Sequence, residues 1–188
     1  MQRTRSRSSI VAVALATGIV MLGTTEPQAP ARDSSARIAE LRESRRLLVR
    51  IKDQRDETWR WERLMGGSLT PHRASAARSP SVEYRRWVLA QWRQRARRAR
   101  TTAHSPPHAA GWRCIHSYEG AWDDPEAPYF GGLQMDLTFQ RTYGGDLLRR
   151  KGTADNWTPL EQMWVAERAH RYRGFSPWPN TARLCRLL

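Results

Sequence analysis

Glu119 is the carboxylate best placed to do chemistry in this 188-residue chain. It stands where a short helix should end, just before Gly120 and an aromatic-rich loop. A carboxylic acid in partly apolar surroundings holds its proton to higher pH and can donate it to a leaving group near neutrality. From position alone, a solvated surface carboxylate is the commoner reading. Trp122, Tyr129 and Trp178 would line a cleft suited to sugars, whose C–H faces stack on aromatic rings, although core packing is the commoner use of such rings. No Ser-His-Asp arrangement is readable, and His116 and His170 stand isolated in the sequence. Cys114 and Cys185 are the only two cysteines. They cannot build a structural zinc site alone, and His116 brings no fourth ligand at suitable spacing. No metal and no cofactor is expected. In an exported protein, a disulfide between these two cysteines is the natural reading.

The elements that must position these residues follow from the punctuation of residues 111–188. Trp112 to Glu119 reads as a helix, and residues 122–128 as a loop. Residues 129–135 read as a short extended piece whose Gly131-Gly132 suits a tight turn or close ligand approach. A helix is expected from Asp136 to Tyr143, stopped at Gly144-Gly145. Thr158-Pro159-Leu160-Glu161 is a helix start, with Thr as N-cap, Pro at N1 and Glu closing a capping box. That helix should run to about Arg171 and close at Gly174, before Pro177-Trp178-Pro179 turns the chain toward Cys185. This region, with five of the nine tryptophans, is expected to be α+β and mainly helical, with one short β element.

The formal net charge of +14 suggests a nucleic-acid binder until it is divided. Residues 1–110 hold 22 basic against 9 acidic side chains, and residues 111–188 hold 10 against 9. The excess therefore lies ahead of the expected folded domain. Residues 1–31 carry early arginines, a stretch from Ser8 to Thr25 with no charge, and Ala29-Pro30-Ala31. That pattern predicts a signal peptide or an uncleaved membrane anchor, and so an exported protein that is secreted or held at the wall or membrane. The same hydropathy excludes a multi-span membrane protein. Residues 32–110 read as an Arg-rich helical stalk. One helix is expected over 38–64, with Ile38, Leu41, Leu48 and Ile51 as a thin stripe. Gly66-Gly67 and Pro71 to Pro80 break it. A second helix is expected over 81–100, with Tyr84, Trp87, Val88 and Trp92 on one face, followed by a linker at 101–110. The run Arg93–Arg100 is either a solvated helix end or a patch for an anionic partner, a wall polymer or membrane surface if the chain is exported.

Five separated blocks, taken together, carry a resemblance. They are Trp112-Arg-Cys-Ile-His-Ser-Tyr-Glu119-Gly-Ala-Trp122, Tyr129-Phe-Gly-Gly-Leu-Gln-Met-Asp-Leu-Thr-Phe139, Gly144-Gly145, Glu161-Gln162 with Ala166-Glu167-Arg168, and Gly174-Phe-Ser-Pro-Trp-Pro179. In this order they resemble the transglycosylase-like domain of the resuscitation-promoting factors, over nearly all of residues 111–188 and none of 1–110. The resemblance implies a small lysozyme-like fold, secretion, and cleavage of peptidoglycan glycan strands at the β-1,4 bond between N-acetylmuramic acid and N-acetylglucosamine. It places the family's single catalytic Glu on Glu119 and its substrate-contacting Thr on Thr138. Gln134, Tyr129 and Trp122 fall near the sugar groove. The chain departs from the family in three respects. Cys114 lies five residues before Glu119, and Cys185 six after Pro179, each displaced by about one helical turn from the family's positions. The loop from Glu119 to Gly131 is about three residues short, and Phe139 stands where the family usually has Trp. Asp123, Asp124 and Asp136 are the nearest second carboxylates, and none matches a family catalytic position. Two other functions fit the sequence: a wall-binding module with little turnover, and an Arg-driven binder of anionic polymer or nucleic acid centred on residues 81–100.

Overall fold

The computed structural model describes residues 31–72 and 81–188. All but the last residue of the expected export segment, residues 1–31, and most of the expected break at 71–80 lie outside the described residues. Helix α1 (Ala31–Met65) holds no glycine or proline over 35 residues, so nothing interrupts its hydrogen-bond ladder. It ends in a Schellman motif. Gly66 takes φ +67°, its N–H reaches the Arg63 carbonyl, and the Gly67 N–H reaches that of Glu62. Gly66–Thr70 then folds back on the helix. The Trp59 indole N–H donates to the Thr70 carbonyl at 2.8 Å, and the Thr70 hydroxyl and N–H both donate to the Glu62 carboxylate.

Helix α2 (Val82–Ala103) starts at Ser81, whose hydroxyl accepts the Tyr84 N–H at 3.1 Å. It packs parallel to α1, with Arg86 on Glu43 near one end and His104 on Trp61 near the other, and with Leu47, Ile51, Val82, Val88, Leu89 and Trp92 forming the seam. The buried line on α1 is Ser44, Leu47, Ile51 and Thr58, one residue off part of the expected stripe. Ile38 and Leu41 are 49% and 64% exposed, because α1 is ~52 Å long and α2 only ~33 Å. Trp87 also leaves the expected face; it is 57% exposed and stacks on Tyr84.

Half of the expected linker over 101–110 is helix. α2 runs to Ala103, and α3 (Ala109–Glu119) begins after five intervening residues. The C-terminal ends of α1 and α2 lie directly on the domain beyond them. Ala103 is fully buried, and its carbonyl accepts the Trp164 indole N–H at 2.7 Å.

In residues 109–188 the β structure is one two-stranded antiparallel hairpin among helices and loops. Strand β1 (Tyr129–Phe130) pairs with β2 (Met135–Asp136), with Tyr129 opposite Asp136 and Phe130 opposite Met135. Helix α4 (Leu137–Lys151) is capped by Asp136, which accepts the Phe139 N–H at 2.6 Å. It does not stop at Gly144-Gly145 as expected. Both glycines lie mid-helix, and the Trp157 ring occupies the space a Gly144 Cβ would need, 2.5 Å from it. Helix α5 (Pro159–Arg173) starts with the expected capping box, formed in both directions by Thr158 and Glu161, and ends before Gly174. It is the central element: residues 162–167 are all buried, as befits a helix covered on every side. Four buried indole N–H groups of this region find partners: Trp112 on Glu167, Trp157 on the Gly152 carbonyl, Trp164 on Ala103 and Trp178 on Leu133. After Pro177-Trp178, a short helix α6 (Pro179–Leu184) leads to Cys185, which is disulfide-bonded to Cys114 as expected. The α+β, mainly helical class is thus observed. Among the described residues no helix is long and apolar enough to cross a membrane.

Candidate active site

Glu119 is the last residue of α3, the helix that buries Trp112 and Ile115 one turn apart against the core. α6 lies alongside and is joined to α3 twice. Cys114 is bonded to Cys185 at one end, and at the other the Thr181 hydroxyl donates to Glu119 Oε1 at 2.8 Å. The carboxylate is half-buried, and no described cation forms an ion pair with it.

Gly120 brings Glu119 against the β-hairpin. A Cβ at Gly120 would lie 3.0 Å from Gln134 Nε2 and 3.1 Å from Asp124 Oδ2. Gln134 occupies the left-handed region at φ 48°, uncommon for a residue with a side chain. Its amide is fixed there by donating to Asp124 Oδ2 at 2.9 Å and to the Gly131 carbonyl at 3.0 Å. A cavity of about 270 Å³ opens beside the hairpin. Gln134, Tyr129 and Thr138 all line it, together with Trp178, Asp136 and Arg173. Three of the expected sugar-contacting residues therefore converge. Tyr129 is half exposed, and Trp178 is 5% exposed, so one ring offers a free face and the other belongs to the core.

Two expected residues stand apart from this lining. Glu119 is set back from the cavity wall by Gly120 and Gln134. Trp122 stacks on His116 at 4.0 Å under Gly132, and its carbonyl accepts the Gln162 amide at 2.7 Å. A Cβ at Gly132 would come within 2.6 Å of His116 and 2.8 Å of Trp122, so this glycine of the pair serves close packing. Of the three candidate second carboxylates, two hold structure. Asp136 caps α4, and Asp124 accepts from Gln134 and from the Glu126 N–H. Asp123 is exposed.

A larger cavity, about 1120 Å³, lies where α1 meets α4 and α5, and none of the expected catalytic or sugar-contacting residues lines it. Its wall is basic, with Arg60, Arg63, Arg150, Lys151 and Arg168 against Asp146 and Glu161. Arg150 pairs with Asp146 and Lys151 with Glu161, both at 2.7 Å. The Arg150 bond holds the Asp146 carboxyl below its ordinary range. Arg168 donates to the carbonyls of Tyr143 and Leu64, and burial together with the neighbouring Arg171 pushes its pKa down to about 10. Arg168 and Arg171 thus satisfy the last carbonyls of α1, where a helix end favours cations.

The chain matches no family model, no curated protein and no solved structure.

Several residues at these sites carry no sequence signal. Thr181 sits in a six-residue helix with no apolar period to announce it. His170 is not isolated, because folding sets it against His108 at a ring separation of 3.9 Å and beside Glu167. Burial and the facing His108 push the His170 pKa down, against the pull of Glu167. The His108–Glu167 pairing spans 59 residues, and no local pattern encodes it.

Proposed function

We propose that this protein cleaves peptidoglycan glycan strands, with Glu119 as its single acid and base. The observation that carries the reading is the half-buried Glu119 carboxylate, held by Thr181 and adjoining the hairpin whose Gln134, Tyr129 and Thr138 line one cavity. The resemblance of residues 111–188 to the transglycosylase-like domain of the resuscitation-promoting factors supplies the substrate class, and with it a lysozyme-like fold. The disulfide fits an oxidising compartment, in keeping with an exported enzyme.

In this mechanism Glu119 protonates the leaving oxygen of the β-1,4 bond between N-acetylmuramic acid and N-acetylglucosamine. A conventional glycosidase adds a second carboxylate about 5–9 Å away. Asp124 and Asp136 are already held by their own hydrogen bonds, which favours a one-carboxylate route. The substrate's N-acetyl group and the Thr138 region then stabilise the oxocarbenium-like state. Glu119 next removes a proton from water, or from the sugar's own 6-hydroxyl to give a 1,6-anhydro end. The exposed arginines of α2, among them Arg95, Arg97, Arg98 and Arg100, would hold the enzyme near anionic wall polymers or a membrane surface.

Release of soluble fragments from purified sacculi tests the reading. Glu119→Gln should reduce it by about 10²–10⁴-fold, and product analysis separates reducing from anhydro ends. A Glu119→Gln protein that lyses sacculi at the wild-type rate refutes the assignment. The setting of Glu119 and Trp122 back from the cavity wall favours one second reading, a wall-binding module with little turnover. Sacculus binding with no fragment release would establish it.

A further inference from the structure

His108, the N-cap residue of α3, meets Glu167 and His170 of α5 five residues past the end of α2. One donor atom from each of the three lies within 4.8 Å of the others. His108 Nδ1 is 3.0 Å from Glu167 Oε2, and the two imidazoles face each other at 3.9 Å. The two oxygens of the buried Glu167 are unequally placed. Oε1 accepts the His108 backbone N–H at 2.7 Å and the Trp112 indole N–H at 2.9 Å, while Oε2 is turned to the imidazole. Anchoring one oxygen with protein donors and presenting the other is how a metal-binding carboxylate is oriented.

We propose that His108, Glu167 and His170 bind a divalent transition-metal ion of the zinc class. Two imidazoles and one carboxylate suit zinc and its neighbours, whereas magnesium and calcium take oxygen ligands. Tetrahedral bonds of ~2.0–2.2 Å place donor atoms about 3.3–3.6 Å apart. Reaching that from the observed spread takes rotation of side chains, and the His108 side chain, 40% exposed, is the less enclosed of the His108–Glu167 pair. Phe175 packs on both imidazoles, at 5.6 and 4.5 Å, and walls the protein side. The open side at His108 leaves a fourth position for water. α3 separates this cluster from Glu119 by its 11 residues, ~16 Å of helix. The ion therefore does not touch the reacting centre; it ties the start of α3 to the central helix.

The test uses the full, tag-free chain stripped of metal, titrated with zinc chloride in a calorimeter and melted with excess zinc or with EDTA. One equivalent should bind with a dissociation constant on the order of micromolar or tighter. The melting temperature should rise by several degrees in zinc, return in EDTA and ignore magnesium. His108→Ala and His170→Ala should each weaken zinc binding by about 100-fold. His108→Ala alters a half-exposed side chain and keeps the comparison valid if His170→Ala fails to fold. Absence of saturable zinc binding overturns the proposal and leaves a plain imidazole–carboxylate hydrogen bond. One-equivalent binding that both variants retain also overturns it, by assigning the ion to other histidines.

Discussion

Removing the Cys114–Cys185 bridge is expected to loosen the fold and, separately, to unsettle Glu119. The bond closes a loop with a sequence separation of 71. In the chain-entropy treatment a loop of that length lowers the entropy of the unfolded chain by ~15 cal/mol/K, or ~4 kcal/mol at 25 °C. Changing both cysteines to alanine leaves no thiol behind and removes little packing, since both are only partly buried. For a chain of this size each kcal/mol shifts the melting temperature by about 2–4 °C, so Cys114→Ala/Cys185→Ala should melt roughly 10–15 °C below the oxidised wild type. Urea unfolding followed by circular dichroism and tryptophan emission gives the free energy directly. A loss under about 1 kcal/mol would refute the loop argument. The second effect follows from the antiparallel pairing of α3 with α6. The bridge holds α6 four residues from Thr181, whose hydroxyl is bonded to Glu119. Sacculus lysis should therefore fall in the double variant even at temperatures where it is fully folded. Undiminished lysis under those conditions would sever the proposed link between the bridge and Glu119.

Three further outcomes follow from individual contacts. Thr181→Val removes the hydroxyl that bonds Glu119, an interaction worth about 1.5–3 kcal/mol with a charged partner, so the melting temperature should fall by roughly 3–12 °C, and lysis should fall too at temperatures where the variant is folded. Gly144→Ala forces a methyl to within 2.5 Å of the Trp157 ring and should cost about 1–3 kcal/mol in denaturant unfolding. A fragment of residues 111–188 lacks the Ala103 carbonyl and the His108 N–H that bond Trp164 and Glu167, and should lose cooperative unfolding in calorimetry.

What was legible in the sequence was local. The Thr158–Glu161 capping box needs four consecutive residues, and it forms as read. Two cysteines in an expected export context permit one intramolecular pairing, and it is present. The short β element and the termini at Gly120 and Gly174 follow from turn chemistry in the same way. The misread elements are those decided by distant partners. Gly144-Gly145 reads as a stop until Trp157 is seen to fill the space above Gly144. Residues 101–110 read as a linker because Ala103 gains its burial from Trp164, 61 positions away. The stacking of Trp122 on His116 beneath Gly132 is likewise a tertiary contact that nothing nearby in the sequence announces.

The charge distribution gains a structural meaning from the same long-range contacts. The basic excess sits in the first 110 residues, and the expectation was a stalk that merely carries it. Instead the C-terminal end of α1, the negative pole of a 35-residue helix, is met by Arg168 and Arg171 of the domain. The domain thus contributes the cations at this junction, and the α1–α2 pair contributes carbonyls. The arginines of α2 are then left for solvent: Arg93 is partly exposed and Arg95, Arg97, Arg98 and Arg100 are exposed, while Ala96 between them faces inward. The α1–α2 pair docks on α5, whereas Glu119 ends α3 and is held by α6. One end of α3 is therefore bonded to Glu167 of α5 through His108 and the other carries the candidate acid, so the exposed arginines of α2 and the side chains around Glu119 belong to separate parts of the molecule.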